Sequence, residues 1–136
     1  MTTPLSTVIV PLLVFEAADC LMAIPASEIA HLAGPVNRDH EEFSADDRER
    51  SSRLRCDLGE YFVGCQSDGP WLRWSRGSRN AWLRVRRVID VVPVALSALT
   101  PMPARLSGHR RTGAFLAAGV SGNDVFLLLD PARLTL

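Results

Sequence analysis

From Trp82 to Leu136 the chain alternates apolar runs with residues that turn the backbone, and this pattern constrains the fold most. Val85 to Val94 is mostly Val and Ile, which fit a pleated, half-buried surface. Pro93 predicts that this strand stops near Val92. Ala95 to Leu99 has room for one helical turn, and Thr100-Pro101-Met102-Pro103 runs extended or turns. Ala114 to Val120 and Val125 to Leu129 flank Ser121-Gly122-Asn123-Asp124, whose residues tolerate positive φ, so a hairpin is expected. Asp130 before Pro131 reads as an N-cap with proline at the first helical position.

The most informative local stretch is Trp71 to Val88, two runs around a turn at Arg76-Gly77-Ser78-Arg79. Side chains alternate across a strand. Leu72 and Trp74 before the turn, and Ala81, Leu83 and Val85 after it, form the core-facing set. Trp71, Arg73, Trp82, Arg84 and Arg86 then share the outer face. Three uses fit that face: arginines solvating a packed tryptophan, a protein-binding patch rich in the residue types of hot spots, or a single-stranded nucleic-acid platform.

Upstream, Met1 to Thr7 reads as a loose leader, and Val8 to Phe15 as a strand that Pro11 assigns to an edge or a bulge. Ala17-Ala18-Asp19 turns it into Cys20–Ile24, and Pro25 to Glu28 connects tightly to Ile29–Leu32. Residues 34–52 are charged and poor in β-branched side chains, which predicts a solvated, mobile excursion or a short frayed helix. Arg53 to Leu58 alternates as a half-buried strand, while Glu60 to Gln66 has no decisive pattern.

With 136 residues, 47% hydrophobic and 22% charged, the chain makes one globular domain, 1–136. Formal charge sums to zero, so no global field draws it to nucleic acid or an acidic membrane surface. Every basic side chain other than histidine is arginine. The three cysteines, Cys20, Cys56 and Cys65, lack disulfide or zinc spacing and are expected to act as small hydrophobes in strands. His31 and His40 lie near Asp39, Glu41 and Glu42 without convincing ligand geometry, and His109 sits between a glycine and two arginines as a surface histidine. No run reaches the ~18 apolar residues of a spanning helix, and no basic leader precedes an apolar stretch. A cytoplasmic protein without membrane insertion is expected. Nucleophile elbows, phosphate loops and zinc-protease signatures are absent, so neither catalysis nor a cofactor or metal is expected.

The order of these pieces resembles the CheW-like domain, the adaptor module of bacterial chemosensory systems. The motifs that carry the resemblance are Leu13-Val14-Phe15, Cys20 to Pro25, Ile29 to Leu32, Cys56-Asp57-Leu58, Val85 to Val92, the prolines 101 and 103, and Leu128-Leu129-Asp130-Pro131-Ala132-Arg133-Leu134. It implies an all-β domain of two small five-stranded SH3-like barrels around a shared core. From the combined reading, core residues are Phe15, Met22, Ile24, Ile29, Leu83, Val85, Val88, Val91, Phe115, Phe126 and Leu128. The resemblance also implies an adaptor between chemoreceptor tips and the regulatory domain of a CheA-type histidine kinase, with partner contacts at Ile29, His31, Arg48 and Arg50.

Departures from the family pattern bear on those partners. Asp47-Arg48-Glu49-Arg50 stands where members carry N-L-R-G, His31 replaces a glutamate, and Arg86 replaces an acid. Receptor docking is therefore expected to be weakened. The alternatives are an accessory scaffold serving another machine, or a small nucleic-acid-binding barrel using the Trp/Arg hairpin. Homo-oligomerisation stays open.

Overall fold

The structure is a computed structural model that describes residues 8–33, 55–102 and 112–134. The expected leader, the charged excursion, His40, His109, Arg48 and Arg50 lie outside the described residues.

Strand β1 (Ile9–Ala17) turns through Ala18 and Asp19 into β2 (Cys20–Pro25), and a 3-10 turn at Ala26–Glu28 leads to β3 (Ile29–Ala33). After β4 (Arg55–Asp57) and helix α1 (Leu58–Val63), β5 (Trp71–Arg76) and β6 (Arg79–Arg84) form the expected hairpin around Gly77. Strands β7 (Arg87–Ala95), β8 (Thr100–Pro101), β9 (Phe115–Ser121) and β10 (Asp124–Leu129) complete the set. The described strands divide into a six-stranded sheet, β7-β1-β2-β10-β9-β8, and a four-stranded sheet, β3-β5-β6-β4. The all-β expectation is met.

Two proline readings need correction. Pro11 lies in a strand flanked by β7 and β2, not at an edge. β2 ends opposite Leu12, however, so among the described residues only β7 runs alongside Pro11, and the residue opposite is Pro93. Proline is tolerated where few ladder hydrogen bonds are asked of it. Pro93 likewise fails to stop its strand, because β7 is an edge strand and continues to Ala95. The bulge in this pair falls instead between Val14 and Phe15.

The main core lies between the sheets. Leu13, Phe15, Met22 and Ile24 from one meet Cys56, Leu72, Trp74 and Leu83 from the other. A second cluster, Leu12, Val14, Ala23, Val94 and Phe126, fills the opposite face of the six-stranded sheet. Of the expected core, Phe15, Met22, Ile24, Leu83, Val85, Phe115 and Phe126 are buried. Ile29, Val88 and Leu128 are half-buried. Val91 is 47% exposed, because it sits on the edge strand.

Helix α1 has its own local cause. Asp57 caps it by accepting from the Glu60 amide at 3.2 Å, and Gly64 closes it at φ 77°. Asp57 also accepts from the Ser67 amide and hydroxyl, both at 2.8 Å, folding the following loop back. Cys65 lies in that loop and is exposed, contrary to its expected strand position. Cys56 is buried, and burial first, then Asp57 and Glu60, pushes its thiol up to about 12.

Candidate functional site

The β5–β6 hairpin shows the predicted alternation. Leu72, Trp74, Ala81 and Leu83 enter the core, and Trp71, Arg73, Trp82 and Arg84 share the other face. Register places Trp71 opposite Arg84 and Arg73 opposite Trp82, while Arg55 of β4 lies beside Trp82 and His31 of β3 beside Arg73. Indoles and guanidinium groups therefore interleave. Arg73 lies 5.9 Å from the Trp82 ring centroid, and Arg55 and Arg84 each lie 5.5 Å from that of Trp71.

Of the three uses that fit this face, burial matches the packed one. Trp82 is only 2% exposed and Trp71 7%, and Arg84 is itself buried, its Nε donating to the Gly69 carbonyl at 3.2 Å. Trp71 and Trp82 form a buried cluster of their own, and guanidinium groups lie over both rings, a cation–π arrangement. A nucleic-acid platform needs accessible ring faces for base stacking. Trp71 and Trp82 do not offer them.

Arg86 does not join that face, because β6 ends at Arg84. It pairs with Glu16 at 3.3 Å and Asp19 at 4.0 Å, next to the β1–β2 turn. There it lines a cavity of about 370 Å³ with Asp19, Val63, Cys65 and Asp68. Ile29 is half-buried against the main core, and His31 holds its place in the β3 register.

Two features escaped sequence reasoning. The first is an exposed apolar rim. Leu13 faces Val91 across β1 and β7, Pro11 faces Pro93, and Ile9 faces Ala95, with no charged residue in these rows. Leu13 belongs to the main core, but Ile9 is 60% exposed, and Pro11 and Pro93 are exposed as well. Thus the core face of the six-stranded sheet continues outward as an apolar surface. The signal was present in the alternation of Ile9, Pro11 and Leu13, but strand order decides which part is covered.

The second is a polar junction at the hairpin tip. Arg76 donates to both carboxylate oxygens of Glu28, at 2.9 and 3.0 Å, and to Asp130 at 3.0 Å. Trp74 Nε1 donates to Glu28 at 2.8 Å. Asp130 also caps the final 3-10 turn by accepting from Ala132, as its sequence predicted. Burial alone would raise the Glu28 carboxyl. The hydrogen bonds from Arg76 and Trp74, with the guanidinium charge, outweigh that and hold it below the usual carboxylate range.

Among the described residues, no group of three or more His, Cys, Asp or Glu is placed to hold a metal ion. No helix among them is long and apolar enough to cross a membrane. No family model matches the sequence, and no curated protein matches it. In fold, the chain is similar to the crystal structure of the scaffolding protein TtCheW from Thermoanaerobacter tengcongensis. The TM-score is 0.66 at 13% identity, covering 95% of this chain and 89% of that one. Two SH3-like units fit the arrangement, and what the two proteins share is the fold.

Proposed function

We propose that this chain is a non-enzymatic adaptor of a bacterial chemosensory system, joining chemoreceptor tips and the regulatory domain of a CheA-type histidine kinase through protein contacts. The observation that carries the reading is the fold likeness to a scaffolding protein over nearly the whole chain. Ile9, Pro11, Val91 and Pro93 supply what an adaptor needs, an apolar surface left outside the core. An exposed apolar patch is a mark of partner binding. Arg73 stays among the proposed partner contacts, on the face that Trp71, Trp82 and Arg84 build, and Arg86 is a separate contact by the β1–β2 turn. His31 lies beside Arg73 in register on β3, Ile29 beside Trp74 on the core side, and Arg48 and Arg50 enter from the sequence alone.

Receptor contact is the weaker of the two. Where members carry a compact N-L-R-G, this chain has Asp47-Arg48-Glu49-Arg50, and acids buried without partners cost a few kcal/mol. The test is a pull-down of the purified protein with a receptor cytoplasmic fragment and, separately, with the kinase regulatory domain. Kinase capture with weak receptor capture supports the proposal. Capture of neither overturns it. Receptor binding as tight as that of a standard adaptor overturns the weakening, and rebuilding Asn-Leu-Arg-Gly at positions 47–50 should strengthen it.

A further inference from the structure

The β5–β6 hairpin is held in two different ways along its length. Its base is in the main core through Leu72 and Leu83, which are fully buried. Its tip is held by polar contacts to the other sheet's connections, Arg76 to Glu28 and Asp130 and Arg79 to the Ala132 carbonyl at 3.2 Å, while core-buried Trp74 helps fix Glu28 through its indole N–H. Arg76 is common to most of them, and 43% of its side chain is exposed. Its guanidinium also lies 5.3 Å from the Trp74 ring centroid.

We propose that this hairpin tip is a strap latched by Arg76, which opens locally while both sheets stay folded. Regions held by few apolar contacts and by partly solvated polar ones open at lower free energy than the core. Opening releases residues 75–80, all exposed or half-buried, while Trp74, 1% exposed in the main core, stays in place. Salt weakens the latch, because 43% of the Arg76 side chain is exposed and exposed charge is screened. The charged groups at the junction are Glu28, Arg76, Arg79, Asp130 and Arg133.

Native-state hydrogen exchange followed residue by residue tests this in the intact protein. In Arg76→Ala, the amides of Ser75 to Asn80 and of Ala132 and Arg133 should exchange roughly ten- to hundredfold faster, the range for losing charge-assisted hydrogen bonds. The amides of Phe15, Met22 and Phe126 should keep their rates. Equal acceleration of both groups would mean that Arg76 only stabilises the whole fold and would overturn the strap, as would no change at the tip. If Arg76→Ala does not fold, the wild type in low and high salt decides. Faster exchange at the tip alone in high salt supports the strap, and salt-insensitive tip amides refute it.

Discussion

Arg76 and Glu28 stand 48 positions apart, yet the guanidinium grips both carboxylate oxygens of Glu28 and ties the four-stranded sheet to the end of β2. Because the Glu28 carboxyl lies below its usual range when folded, it contributes stability that is present above the unfolded value, about 4.3. That contribution is lost as pH falls through the lower folded value. Glu28→Gln should cost about 1 kcal/mol at pH 7, a modest figure because solvent screens Arg76. Urea unfolding from pH 7 to 3 should also show a shallower loss of stability below about 4.3 in the variant. An unchanged acid limb would contradict this.

Trp82 is a structural residue. Removing its indole from a site only 2% exposed should cost about 3–5 kcal/mol, the range for emptying a buried aromatic position. Chemical denaturation of Trp82→Ala measures it. A loss under ~1 kcal/mol, the scale of a surface substitution, would return Trp82 to the surface.

What the sequence made legible, and what it did not, follows from range. Alternation identified the inward set of the β5–β6 hairpin, and turn residues located the β5–β6 and β9–β10 hairpins, because those causes act within a few residues. Helix α1 was legible in principle: Asp57 and Glu60 have capping-box spacing, and Gly64 stands where a helix ends. Burial of Trp71 and Trp82 was not, since it depends on neighbours from other strands and not on their own strand's alternation. Val91 failed for the same reason, its exposure being set by strand order. The Arg76 junction joins residues from three distant elements, and no local pattern announces it.

Gly69 is held by close backbone approach. A Cβ there would overlap the carbonyl oxygens of Arg86 and Val85, neither of which is a flexible side-chain end. Gly69→Ala should therefore destabilise by at least the ~1–3 kcal/mol of an overpacked site. Thermal unfolding within a degree of wild type would contradict it.

Ala18 tests the β1–β2 turn in the opposite direction. It holds φ 52°, where a Cβ is strained, followed by Asp19 at φ 61°. Ala18→Gly relieves that strain and should raise stability by roughly 0.5–1 kcal/mol, after allowing for the more flexible unfolded chain. Urea midpoints compare the two, and a lower midpoint for glycine would contradict the prediction.

The adaptor reading is tested most directly by isothermal titration of the kinase regulatory domain into wild-type protein and into Val91→Asp. Val91 is 47% exposed at the apolar rim, so a charge there should leave the fold intact. The account predicts saturable binding by the wild type and at least a tenfold weaker Kd for Val91→Asp, about 1.4 kcal/mol. Saturable binding with the same Kd in both would contradict the rim as the docking surface, and no binding by the wild type would contradict the adaptor reading itself.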